Sequence, residues 1–135
     1  MVSLYSKFKN TIAKHDLISN GDTVIAAVSG GVDSIVLLEL LYKFHQENYI
    51  DFNLTAAHLN HSTRAGESDL DQKLVERFCQ DRDIKLKIKK VNVQEKAKES
   101  HESFEMVARR IRYNFFSKIT DNGKIATGHT LDDHV

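Results

Sequence analysis

Leu4, Phe8 and Ile12 recur every four positions, which predicts a short amphipathic helix at the start of the chain. Asn20-Gly21-Asp22 supplies a turn. Thr23 to Val28 (TVIAAV) is a compact apolar run between Gly21 and Gly30, the pattern of a strand buried on both faces. Asp33 to about Glu47 is rich in Leu, Ile and Val, has no glycine and predicts a helix. Asn53 to Leu59 (NLTAAHL) predicts the second strand. Ser68 is placed to cap a further helix, with Asp69 and Asp71 in the first turn, where carboxylates complement the helix dipole. Leu70, Leu74, Val75, Phe78 and Cys79 are expected on its buried face. Ile84 to Val91 (IKLKIKKV) predicts a third strand. Ser103 can cap a helix whose buried face is Phe104, Val107, Ala108, Ile111 and Phe115. Asp121-Asn122-Gly123 is a turn, Lys124 to Thr127 begins a fourth strand, and the sequence reaches Val135 where another helix would start.

The expected order is one helix, three strand–helix units and a final strand. Strand starts fall near 23, 53, 84 and 124, close to the spacing of a βαβ unit of ~30 residues. Such alternation implies a parallel sheet with right-handed crossovers. The third strand alternates Ile84, Leu86 and Ile88 with Lys85, Lys87 and Lys89. One face therefore meets water, as suits an edge strand guarded by lysine; a stripe contacting nucleic acid is the rarer use of such a pattern.

Length and charge narrow the class. The 135 residues fit one domain. No run approaches the ~20 apolar residues of a membrane span, the first residues lack the apolar core of a signal peptide, and the single cysteine, Cys79, allows no intrachain disulfide. These features point to the cytoplasm without a membrane partner. Formal net charge is zero, so composition adds no support for nucleic-acid binding by this chain alone.

The chemistry is carried by Ser29-Gly30-Gly31-Val32-Asp33-Ser34, between the first strand and its helix. A helix N-terminus presents free N–H groups and the positive end of the dipole, and so receives anions. Paired glycines let the backbone turn sharply and let phosphate oxygens approach closely. Ser29 and Ser34 add hydroxyls. A carboxylate, Asp33, inside an anion site makes sense if a cation joins it, and Mg²⁺ held by carboxylates and phosphates is the expected arrangement. The G-x-x-x-x-G-K-[ST] and G-x-G-x-x-G loops are both absent. A tight turn without ligand would suit two glycines alone, but not the full string in this position.

SGGVDS resembles the PP-loop signature of the N-type ATP pyrophosphatases. That superfamily includes GMP, NAD and asparagine synthetases, argininosuccinate synthase, tRNA thiolation enzymes and the tRNA(Ile)-lysidine synthases. Three more segments are similar to the last of these. Ala57-His58-Leu59-Asn60-His61 runs through Arg64 to Glu67-Ser68-Asp69, like their H-x-N-H-x-x-R and E-S-D. Ala108, Arg109, Arg112 and Tyr113 match their A-R-x-x-R-Y. Ala126 to Asp133 (ATGHTLDD) resembles their A-T-x-H-x-x-D-D.

The resemblance implies an α/β fold: a Rossmann-like parallel sheet, ordered 3-2-1-4, with helices on both faces, of the adenine nucleotide alpha hydrolase-like PP-loop type. It implies that residues 1–135 are the N-terminal part of a catalytic domain that continues further. The implied reaction uses ATP to activate C2–O of the wobble cytidine of tRNA(Ile) with a CAU anticodon. L-Lysine then attacks, giving lysidine, AMP and pyrophosphate. Ser29, Gly30, Gly31, Val32, Asp33 and Ser34 would hold the phosphates. His58 and Leu59, at a strand end, would flank the adenine, with Gly128 and His129 also on the nucleotide. Asp33 and Asp133 would bind Mg²⁺, with Asp132 beside them, and Arg109 and Arg112 would meet phosphate or RNA. Arg110 is expected to face solvent, and Cys79 to be a packed thiol. The tRNA would need the region beyond Val135, this chain alone would bind ATP weakly and modify no tRNA, and a homodimer is allowed. A tRNA thiolase, another PP-loop ligase and a non-catalytic nucleotide sensor remain alternatives.

Overall fold

A computed structural model describes residues 3–62, 67–120 and 123–127. Its elements are α1 (Leu4–His15), β1 (Thr23–Ala27), α2 (Val32–Glu47), β2 (Asn53–Asn60), α3 (Glu67–Arg82), β3 (Lys85–Lys90), α4 (Val93–Ser100), α5 (Phe104–Thr120) and β4 (Lys124–Ala126). The described strands form one parallel sheet in the order β3-β2-β1-β4. The expected topology and the edge position of the lysine-rich strand are both observed.

Strand alternation divides the core. Val24, Ala26, Val28 and Ala56 share one cluster with Phe8 and Ile12 of α1, Leu37, Leu38, Leu41 and Phe44 of α2, and Val75 and Cys79 of α3. Ile25 and Ala57 face the other way, onto Phe115 and Phe116 of α5. Helices thus cover both faces of β1, which explains why its sequence is apolar without alternation. Each fully buried aliphatic side chain contributes about 1.5–3 kcal/mol relative to exposure, so this double-sided burial fixes the strand that carries the loop.

Four expectations need correction. The third crossover holds two helices, because α4 precedes α5. Asn92 caps α4, its side chain accepting from the Glu95 N–H at 3.0 Å, and Val93 and Ala97 pack onto Val107 of α5. In α3 the buried line is not the leucine line: Leu70 and Leu74 are 66% and 50% exposed, while Val75 and Cys79 are buried. Ser68 does not cap α3, since the helix already starts at Glu67. The inward line runs Ser68, Gln72, Val75, Cys79, at helical spacing, and its first half is polar because it faces a cleft. Phe104, expected in the core, is 39% exposed and lies against His61 with ring centroids 6.0 Å apart. Ser103 does cap α5, accepting from the Met106 N–H at 3.2 Å.

Candidate functional site

Parallel strands leave their C-terminal ends along one edge of the sheet, where ligands of open α/β folds bind. β1 and β2 deliver the loop and the His58–His61 segment there. The Val28 N–H donates to the Ala57 carbonyl at 2.9 Å, so pairing persists to the last residue before the loop.

The loop is knitted by its own serines. The Ser34 hydroxyl donates to the Gly31 carbonyl at 2.9 Å and accepts from the Ser29 N–H at 3.1 Å, while the Gly31 N–H donates to Ser29 Oγ at 3.2 Å. The two hydroxyl oxygens are 3.2 Å apart. Ser34 is buried and its one hydrogen is used internally, so it shapes the loop. Gly31 caps α2 without any side-chain hydrogen bond, leaving the first-turn amides open to an anion. Val32 is 78% exposed, and Asp33 is exposed beside it. Gly30 has φ +96°, and a Cβ there would lie 2.9 Å from the Cβ of Asp71. Asp71 of α3 is therefore a wall of the loop, a role its sequence position as a first-turn carboxylate did not show.

His58 and Leu59 flank the site from opposite faces of the sheet. Leu59 packs toward α5 with Ile25 and Ala57. His58 is 2% exposed, and its Nδ1 lies 2.6 Å from the Val28 carbonyl. A carbonyl only accepts, so Nδ1 carries the hydrogen of this bond. Among the described residues its Nε2 is buried without a hydrogen-bond partner.

Asn60, 1% exposed, joins the strand end to α3. Its amide donates to Asp69 at 3.0 Å and to Gln72 at 2.8 Å, and its oxygen accepts from the Ser62 N–H at 2.8 Å. Lys90 also reaches Asp69, at 2.9 Å, and the lysine holds that carboxyl below its ordinary range. Between these elements lies a cavity of about 240 Å³, lined by Ser29, His58, Leu59, Asn60, His61, Ser68 and Asp71.

Burial, and secondly the charges of Arg112 and His58, lower the pKa of His61 from 6.5. His61 therefore resists protonation when folded, and its contribution to stability is complete above the unfolded value and is lost as pH falls through the lower folded one. The NMR titration midpoint of His61 is expected below 6.5. Arg112→Gln should move it upward while leaving it below 6.5, because burial is the larger cause. A midpoint that ignores Arg112 would refute the electrostatic link.

Arg109 and Arg112 are both exposed on α5 and line a separate cavity of about 180 Å³ with Tyr113, Phe116, Ser117 and Ile125. The structure brings them to each other, and no loop residue lines that cavity. Arg110 is exposed and bonds Glu102 at 2.8 Å. Cys79 is buried, which pushes its thiol up to about 11. Gly128, His129, Asp132 and Asp133 lie outside the described residues. Among the described residues no helix is long and apolar enough to cross a membrane.

A parallel sheet in this order, with a glycine–serine loop opening α2, defines a phosphate-binding α/β domain. The family model for the PP-loop domain matches residues 2–135, and the chain belongs to that family. It is 42% identical over 127 residues to "tRNA(Ile)-lysidine synthase" of Clostridium tetani, matching 92% of this chain and 27% of that protein. It is 42% identical over 132 residues to the protein of the same name from Persephonella marina, with 96% and 29% covered. Among solved structures it resembles the U34-tRNA thiolase NcsA from Methanococcus maripaludis with its [4Fe-4S] cluster. There the TM-score is 0.65 at 26% identity, covering 94% of this chain and 47% of that one. The chain thus spans under a third of the length of these two synthases.

Proposed function

We propose that the chain supplies the ATP-binding part of a tRNA(Ile)-lysidine synthase, a cytoplasmic ligase. The observation that carries this reading is the 42% identity to two proteins of that name across nearly the whole chain. The geometry suits the first half of the reaction. In-line attack by the cytidine C2–O on the α-phosphorus breaks the bond to the leaving pyrophosphate, whose charge must be neutralised. The open first-turn amides of α2 receive it beside the Gly30 backbone, and the serine network holds the loop in place. His58 and Leu59 flank the adenine. The amine of L-lysine then attacks C2 and AMP leaves. Asp33, a hard oxygen donor beside the phosphate site, fits Mg²⁺, with Asp133 and Asp132 as the other carboxylates. When bound, the ion offsets phosphate charge. Arg109 and Arg112 are assigned to the RNA or to phosphate.

The thiolase likeness favours a second reading, 2-thiolation of tRNA. It needs cluster ligands or a persulfide, and the chain's one thiol is buried and held protonated at neutral pH. A chimera in which this chain replaces the matched residues of the Clostridium tetani protein tests both. With ATP, Mg²⁺, L-lysine and tRNA(Ile) bearing CAU, nucleoside analysis should show lysidine. A folded, ATP-binding chimera that makes 2-thiocytidine, or leaves the cytidine unmodified, overturns the proposal.

A further inference from the structure

The lysines of β3 take no part in the site described above. Residues 84–94 contain four lysines and no acid, in a chain whose formal net charge is zero. Lys90 has a partner, the Asp69 carboxylate at 2.9 Å. Lys85, Lys87 and Lys89 are exposed and make no ion pair or side-chain hydrogen bond among the described residues. Strand alternation sorts them. Leu86 packs on the core cluster of α1, α2 and α3, so the three lysines stand together on the opposite face. Their register partners on β2 are Thr55, Ala57 and Leu59, and the last two pack toward α5. That helix packs against β1 and β4, whereas β3 is the opposite edge of the sheet and carries its lysines into solvent. Steps of two residues along a strand are about 6.6 Å, so the three charges form a straight row of about 13 Å. Lys89 is level with Leu59, which lines the cleft together with Ser29, so the row starts beside the glycine–serine loop and runs away from it. Protection of a sheet edge accounts for charge there, but charge of either sign serves that purpose. A regular row of one sign complements a regular polyanion. Lysine is a compact point charge that meets phosphate without the fork by which arginine reads a base edge.

We infer that the exposed face of β3 is a docking surface for RNA backbone, on which Lys85, Lys87 and Lys89 neutralise phosphates along one strand and hold the RNA beside the cleft. The choice of RNA as the polyanion rests on the tRNA reading above. Contacts of this kind set position and carry no sequence information, so the row binds stems of any sequence.

The test is NMR titration of the full ¹⁵N-labelled chain with an RNA hairpin that copies the anticodon arm of tRNA(Ile), at 50 and 200 mM salt. Amide shifts should centre on Lys85 to Lys89, and a hairpin with scrambled stem pairs should bind within about twofold of the first. Lys87→Glu/Lys89→Glu keeps the edge charged and reverses its sign. It should weaken RNA binding about tenfold or more at 50 mM salt and reduce the slope of log affinity against log salt by about 1.4–1.8, for two phosphates at about 0.7–0.9 each. Lys7→Glu/Lys14→Glu makes the same change of charge on α1, which covers the other face of the sheet, and should stay within about threefold of the parent. If the first double variant does not fold, the wild-type spectra and Lys87→Gln, with a slope lower by about 0.7–0.9, still decide. RNA that moves the loop or Arg109 and Arg112 but leaves β3 still overturns the inference and leaves the tRNA reading standing. Equal losses in the two double variants overturn it as well, since the effect is then one of net charge. A polyglutamate peptide that moves Lys85 to Lys89 where RNA does not makes the face a protein-binding one and overturns it too. If RNA moves nothing, the inference falls, and lysidine formation by the chimera decides the tRNA reading separately.

Discussion

Gly30→Ala is expected to destabilise the chain by about 2–4 kcal/mol and to weaken ATP binding at least about tenfold. Two independent causes add. The backbone at Gly30 has φ +96°, where an L side chain costs about 1–2 kcal/mol. The new Cβ would also meet the Asp71 Cβ at 2.9 Å. That atom is fixed to the backbone of α3, so no rotamer change relieves the contact, and either the loop or the helix must shift. A shifted loop no longer aims its amides at one point. Chemical denaturation and ATP titration of the single variant, Asp71→Gly and the double variant separate the causes. The double variant should recover the steric part and keep the backbone part, whereas Asp71→Ala, which retains its Cβ, should recover little. Wild-type stability in Gly30→Ala would refute the geometry.

The sheet was legible in the sequence because its signals are local. Apolar runs bounded by glycine gave the strands, and lysine alternation gave the β3 edge. Helix faces were less legible. In α3 two lines of apolar residues lie side by side, Leu70–Leu74–Phe78 and Val75–Cys79, and periodicity cannot say which one the sheet takes. The choice is made by packing, since Ser68 and Gln72 share the inward line with Val75 and are needed at the cleft. The short α4 escaped notice because it has only Val93 and Ala97 to bury; the signal that could have found it is Asn92 followed by Glu95, a capping pattern.

The site divides in the same way. The glycine–serine loop is one continuous string at a strand–helix junction, so its place in the fold was readable from six residues. The Asp71 contact with Gly30 joins residues 41 positions apart in the chain (71 − 30) and depends on how α3 crosses the sheet. His58 and Leu59 looked like a pair because they are adjacent, but strand alternation sends adjacent side chains to opposite faces. That rule was available from the sequence and would have assigned His58 to the α3 side with Val24, Ala26 and Ala56.

Asp33→Ala is expected to lower Mg²⁺-dependent ATP–pyrophosphate exchange in the chimera by about 100-fold or more, a loss near 2.7 kcal/mol of transition-state stabilisation. The carboxylate stands exposed in the first turn of α2, beside amides left open to an anion. On the proposed reading it repels the nucleotide without a cation, and with one it would help to hold the charge that the leaving pyrophosphate needs. Removing it should therefore have opposite effects in two conditions. With EDTA present, the variant should bind ATP at least as tightly as the parent, because a negative charge beside the phosphates is gone. With Mg²⁺ present, the parent should bind more tightly and exchange, and the variant should do neither. Stability should change by less than about 1 kcal/mol, since the lost contribution is that of an exposed carboxylate at a helix N-terminus. Fold integrity is read from the amide spectrum, exchange from incorporation of labelled pyrophosphate into ATP, and binding from calorimetry with and without the ion. Exchange at the parental rate would remove Asp33 from the metal site. Equal loss of binding with and without Mg²⁺ would mean that Asp33 holds the loop in shape instead of holding a cation.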